Sequence, residues 1–235
     1  MARTVKDTAI LLSAIAGPDT YDNYTSAIPN DGIIPDYVAA LNASALSGAR
    51  IGIPLNAMNL TSNPTEITAL FDAVKTMQDA GATIVTANFT AAAPNTTAIV
   101  LGADFVSDLA VYLSELMVNP YGLYTLEDVR NFTQTFEAES FPDRDTARWD
   151  AALELGHNNS DVRFWEEYQR NLYWGGEGGL LGAIEREGLD AVVMPTSWAA
   201  IQGAPLVTVP LGFYPATWGV SRNARGLVQQ GPNIP

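Results

Sequence analysis

Cysteine is absent from all 235 residues. That lack removes disulfides, thiolate nucleophiles, zinc–thiolate sites and iron–sulfur ligation together. Histidine is nearly absent as well: His157 is the only one, so a multi-histidine metal site is excluded and no metal or cofactor is expected. Lysine is scarce, with Lys6 and Lys75 set against ten arginines, and the net charge is −14. Such a chain repels phosphate backbones and anionic membrane surfaces, so nucleic acid is not an expected partner. No apolar stretch approaches the roughly 18–20 residues needed to span a bilayer. The opening MARTVKD has no apolar run of signal-peptide form before its first acidic residue.

What is present is apolar: 47% hydrophobic residues against 16% charged, a globular balance. The length suffices for one sizeable core or two small ones. There is no internal repeat. Thr4 to Ala16 reads as a helix, with Thr4 and Asp7 at capping-box spacing and Gly17-Pro18 as the stop. Residues 18–36 read as a long polar loop, followed by a short helical stretch around Asp36–Leu41.

The clearest unit comes next. Arg50-Ile51-Gly52-Ile53-Pro54 reads as a strand, and residues 65–80 place Ile67, Leu70, Phe71, Val74 and Met77 at helical spacing. Asn63 is the expected cap, with Pro64 at the first helical position and Gly81 past the end. Ala82 to Thr86 is a second strand. Strand, crossover helix and strand together predict a parallel pair with cover on both faces, hence an α/β protein.

The middle of the chain reads as helical. Phe105, Leu109, Tyr112, Leu113 and Leu116 form one expected apolar face, and Thr125 with Asp128 predicts a capping box opening a helix towards Glu139. Further helices are expected around Asp145–Leu155, Asp161–Tyr173 and Leu180–Glu187. Glycines 175, 176, 178 and 179 surround Glu177; with no lysine after them and no strand before them, they read as a turn or hinge and not as a phosphate loop. The apolar run Leu189 to Pro195 predicts a buried strand, and Pro205 to Pro210 a second short one. From Gly212 on, no periodicity is visible.

Two features bear on chemistry and processing. His157 lies in Gly156-His157-Asn158-Asn159-Ser160, a polar run between helices, and reads as a surface histidine and not a catalytic base. Asn-x-Ser/Thr sequons occur at Asn23, Asn42, Asn59, Asn88, Asn95, Asn131 and Asn158, against a chance expectation of roughly two, and a sequon matters only where glycosylation machinery reaches it. Their number suggests a parent protein on a secretory route; the competing reading is an Asn-rich loop composition without glycans.

Several segments, in order, resemble the amidase-signature family. MARTVKD is similar to the stretch that follows the family's nucleophile region, and Leu46-Ser47-Gly48-Ala49-Arg50-Ile51-Gly52-Ile53 opens a segment similar to its next strand–helix–strand unit. Gly188 to Thr196 resembles the late strand whose Pro-Thr end approaches the substrate pocket, and Gly203 to Gly212 the following strand and turn. The spacing resembles fungal members in particular. The resemblance implies a partial amidase-signature fold, a mixed or parallel sheet flanked by helices with a helix-rich middle, over residues 1–235 as a single incomplete domain. It also implies hydrolysis of a small-molecule amide, in the complete protein, by a Ser–cis-Ser–Lys triad in a Gly/Ser-rich segment. No such segment is found in these 235 residues, and Lys6 and Lys75 do not match the family's lysine, so no catalytic residue carries over. What carries over by position is pocket lining: Pro195, Thr196, Pro205 and Val207. The expected function is therefore the C-terminal part of an amidase, inactive by itself; the alternative is a truncated, non-catalytic binding or glycoprotein module. A serine hydrolase built from the residues present is disfavoured, since no Gly-x-Ser-x-Gly elbow occurs. Uncovered strand faces also predict poor solubility or dimerisation of the isolated chain.

Overall fold

The computed structural model describes residues 2–58, 64–91, 97–195, 204–223 and 226–233. At its centre is a parallel sheet in the order β2-β1-β3, formed by β1 (Arg50–Ile53), β2 (Thr83–Thr86) and β3 (Ala191–Val192). In β1, Ile51 and Ile53 are buried and Gly52 lies between them. A side chain at Gly52 would overlap Leu189 and Ala87, so glycine here is a condition of close packing. Ile51 pairs with Ile84 on one side and Ala191 on the other, which makes β1 the central strand.

Helix α1 (Val5–Ile15) begins where expected, with Thr4 Oγ1 accepting from the Asp7 N–H at 3.1 Å. Helix α2 (Pro64–Asp79) is the crossover from β1 to β2, and Pro64 occupies its first position. The expected cap, Asn63, lies outside the described residues. Leu70 (1% exposed) and Val74 seat α2 on Ile53 and Met58. Full burial of a side chain of this size contributes roughly 1.5–3 kcal/mol. Helix α7 (Leu180–Glu187) covers the sheet through Ala183, beside Ala87, Phe89 and Leu189. It ends at Gly188 in the left-handed region (φ +58°), and Arg50 donates to the carbonyls of Glu187 (2.8 Å from Nη2) and Gly188 (3.1 Å from Nε). A cation thus meets the negative end of the helix and ties it to the first residue of β1.

The middle is helical: α3 (Thr97–Ser114), α4 (Leu126–Thr135), α5 (Ala147–Glu154) and α6 (Val162–Gly175). The capping box forms, with Asp128 N–H donating to Thr125 Oγ1 (3.1 Å) and Thr125 N–H donating to Asp128 Oδ2 (3.0 Å). The helix it opens stops at Thr135, and a 3-10 turn covers Glu137–Glu139. Of the expected apolar face of α3, Leu113 is buried but Phe105, Tyr112 and Leu116 are exposed, while Val100 and Ala103 pack against Phe164. The contact with α5 and α6 is close, and the small Ala103 fits it better than a ring does.

Three further expectations are corrected. Asp36–Leu41 is a turn held by the Asp36 carboxylate and carbonyl, not a helix. Residues 205–210 form no strand. The tail, which shows no periodicity in the sequence, contains an antiparallel pair, β4 (Ser221–Arg222) and β5 (Val228–Gln230). Tyr214 braces it, its hydroxyl accepting from Gln230 Nε2 at 3.1 Å and its ring lying 5.1 Å from that of Trp218.

Candidate functional site

In open parallel sheets ligands bind beyond the carboxyl ends of the strands, where connections diverge. Here β1 leads through α2 to β2 on one side, while β3 pairs with its other edge. The end of β1 runs into Pro54, which is fully buried, and a 3-10 turn at Leu55–Ala57. That turn presents Asn56. Its Nδ2 donates to the Phe89 carbonyl (2.7 Å) and its Oδ1 accepts from the Phe89 N–H (3.0 Å), as a neighbouring strand would. The Asn56 N–H in turn donates to Asn88 Oδ1 at 3.1 Å. The loops after β1 and β2 are thereby joined past the end of their ladder.

Beneath this edge, Phe89 meets Trp174 edge-on, with ring centroids 5.1 Å apart. Arg186 Nη2 donates to the Asn88 carbonyl at 3.1 Å. The glycine-rich segment closes the side: the Ala91 N–H and Thr90 hydroxyl both donate to the Gly178 carbonyl, at 2.8 and 3.2 Å. A side chain at Gly178 would crowd Tyr173 and Ala91, so this segment is a packed turn. Sequence reasoning singles out neither Asn56 nor Asn88 as a site residue. The available signal is position alone, each lying two or three residues beyond an expected strand end.

Of the four expected pocket residues, Pro195 is buried just after β3, at this same edge. Thr196 lies outside the described residues. Pro205 and Val207 are exposed, Val207 at 66%, on backbone without sheet pairing. The groups stitched together at the edge are amides and apolar side chains, with the Thr90 hydroxyl and the Arg186 guanidinium each donating to a backbone carbonyl. Each polar side chain named here has a partner within the chain, and no nucleophile among them is paired with a base. Lys75 donates to Asp79 (2.7 Å) on an exposed helix face, and Lys6 is exposed on α1.

His157 is half-buried, not a surface group as expected. Its Nδ1 lies 2.8 Å from the Leu155 carbonyl, and its Nε2 is buried without a partner. It borders a cavity of about 460 Å³ between α3, α5 and α6, lined also by Val106, Ala152, Asn158 and Asp161. Pro195, Pro205 and Val207 do not line this cavity. Arg163 grips the Asp161 carboxylate with Nε (2.9 Å) and Nη2 (2.8 Å), and its own N–H adds a third bond at 2.9 Å. These bonds hold the Asp161 carboxyl far below the ordinary range and raise the guanidinium in return. The Ser160 hydroxyl donates to Asn158 Oδ1 at 2.7 Å, so the nearest serine in sequence is not paired with the imidazole. Among the described residues no group of three or more His, Asp and Glu could hold a metal ion. No described helix is long and apolar enough to cross a membrane.

Comparison with known proteins gives one consistent answer. The family model described as Amidase matches residues 1–206. A protein of the fungus Arthroderma benhamiae named as an amidase is 46% identical over 245 residues, covering 100% of this chain and 41% of its own length. A glutamyl-tRNA(Gln) amidotransferase subunit from Acinetobacter baylyi is 38% identical over 86 residues, 36% of this chain and 17% of that protein. Among solved structures, the native peptide amidase of Stenotrophomonas maltophilia superposes with a TM-score of 0.68 over 82% of this chain and 38% of that one; at 24% identity this shows the shared fold. The chain spans about two fifths of the length of the fungal relative.

Proposed function

This chain belongs to the amidase family, and from that premise we propose that it is the C-terminal portion of an amidase-signature hydrolase that cleaves amide C–N bonds in its complete form. The carrying observation is the match along the chain to little more than two fifths of a longer relative. The nucleophile, its relay serine and the lysine base belong to sequence outside these 235 residues. A serine hydroxyl is a weak nucleophile alone and needs a base within hydrogen-bond reach. A lysine does this when burial and neighbours lower its pKa. Lys6 and Lys75, both exposed, have no such surroundings.

In this reading the chain forms a single incomplete domain and supplies one wall of the substrate pocket. Pro195 lines it from just beyond β3, Pro205 and Val207 line it from the following segment, and Thr196 is assigned to it by its place in the sequence alone. The exposed apolar side chains of α1, among them Ile10, Leu11 and Ile15, and those of Leu206, Val207, Val209 and Phe213 support the same reading. Surfaces of this kind call for a cover, which the remaining chain provides.

Labelling with a serine-directed fluorophosphonate tests the proposal. The 235-residue chain stays unlabelled, and a longer native form reacts. Labelling of the short chain would overturn the assignment of the nucleophile elsewhere. Failure of both forms to react would overturn the hydrolase reading itself.

A further inference from the structure

We propose that Asn23 is an N-glycan attachment site and that the ring of Tyr21 is the platform for the first sugar. The inference does not rest on the amidase reading; it needs only that the parent chain enters a secretory route.

The sequons within the described residues are not equivalent. Asn131 lies inside α4, its Oδ1 accepts from Arg130 Nη1 at 3.2 Å, and the hydroxyl-bearing Thr133 is buried at 7% exposure. Asn88 is committed to the sheet edge, its Oδ1 accepting from the Asn56 N–H and its carbonyl accepting from Arg186 Nη2. Asn158 is half-buried in the cavity wall beside His157. Asn42 is exposed, with Ser44 N–H and hydroxyl both donating to its Oδ1 (3.0 and 2.9 Å), and Ala40 stands two residues before it.

Among the sequons of the described residues, Asn23 alone combines access with a built platform. It is exposed, and its carboxamide makes no hydrogen bond among the described residues. The backbone around it is fixed. Asp19 Oδ1 accepts from the Tyr21 N–H (2.9 Å), the Asp22 N–H donates to the Asp19 carbonyl (3.2 Å), and the Thr25 hydroxyl donates to the Asp22 carbonyl (2.7 Å) while accepting from the Asp19 N–H (2.8 Å). This turn holds Tyr21, two residues before Asn23, at 98% exposure. An exposed aromatic face suits the apolar C–H face of a pyranose, since the ring offers both area and a negative π surface. Polar bulk of this kind is accommodated on surface loops and not inside packed helices.

The covalent step joins Asn23 Nδ2 to the anomeric carbon of a lipid-linked oligosaccharyl diphosphate. The anomeric C–O bond breaks, the lipid diphosphate leaves with the electron pair, and Nδ2 gives up one proton. The test uses the native protein from its source. Enzymatic release of N-glycans in heavy-oxygen water converts each occupied Asn to labelled Asp, which peptide mapping locates. Label at Asn23, with none at Asn88 or Asn131, is expected. An unlabelled Asn23, or label at Asn88 or Asn131, overturns the assignment. Introducing Tyr21→Ala into the native gene tests the platform: occupancy of Asn23 falls while that of Asn42 does not change. Unchanged occupancy at Asn23 overturns the role given to Tyr21.

Discussion

Val192 and Val207 stand in similar company, Ala-Val-Val-Met-Pro in one case and Leu-Val-Thr-Val-Pro in the other, yet their surroundings differ completely. Val192 is paired in register with Gly52 and packs beside Phe89 and Leu189. Val207 is 66% exposed on backbone that forms no ladder. Strand propensity is the same for both, so it cannot be what decides. The difference is a partner: Val192 meets an open edge of β1, and among the described residues no edge faces Val207. Strand formation in this chain is a property of pairs, since pairing satisfies the backbone and cross-strand contacts supply most of the preference.

The sharpest way to break that contrast is to truncate one residue on each side of it. Leu70→Ala, in the core under β1, costs about 2–5 kcal/mol of unfolding free energy, because it leaves a cavity in packed surroundings. Val207→Ala in the isolated chain changes stability by no more than about 0.5 kcal/mol, as expected for an exposed site. In the complete protein the same substitution costs more, because there the proposed cover is present. Equal values in the two forms, by urea denaturation, would sink the idea that the missing chain covers this segment.

A second contrast separates apolar from polar cohesion. The helical region is tied by a chain of hydrogen bonds: Gln134 Nε2 donates to Thr146 Oγ1 (2.7 Å), Thr146 donates to Asp150 Oδ2 (2.9 Å), and Arg130 Nε donates to Asp150 Oδ1 (2.7 Å). Thr146 is 2% exposed, so Thr146→Val leaves its half-buried partners Gln134 and Asp150 each one hydrogen bond short and costs about 1–3 kcal/mol. Thr125→Ala, which removes an exposed cap, costs about 1 kcal/mol. If the two losses, read from chemical denaturation, came out reversed, burial would not be what sets the scale here.

The smallest effect expected is electrostatic. The Tyr124 N–H and then Thr125 hold the Asp128 carboxyl below the ordinary range; Arg130 and then Thr146 do so for Asp150, and Arg163 for Asp161. Each folded-state pKa is lower than its unfolded value of about 3.9. The stabilisation is therefore complete above that value and is lost as pH falls through the folded pKa. Thermal melts are expected to be flat from neutral pH down to about 5, on this account, and to fall below about 4. A drop centred near pH 6 would overturn the assignment to these carboxylates.

Much of the local structure was legible in the residues. Thr4 and Thr125 cap the helices they were expected to cap, and the β1–α2–β2 crossover lies where period and punctuation put it. Asn56 at the sheet edge was not legible. An asparagine after a strand is usual in any turn, and only the approach of Phe89 gives it two backbone partners. The face of α3 was legible only in part, at Leu113, for a related reason. Hydrophobicity marks which residues can be buried, while the small space between helices selects Ala103 over Phe105.

The sequence by itself determined the α/β class, the capped starts of α1 and α4, and the absence of thiol and multi-histidine chemistry. These follow from side-chain type and short-range spacing. The tertiary structure alone decided which apolar runs became strands, which face of each helix was covered, and how Asn56 and Pro195 came to one edge. Those outcomes depend on groups far apart in the chain, because burial and backbone pairing are settled only when distant segments meet.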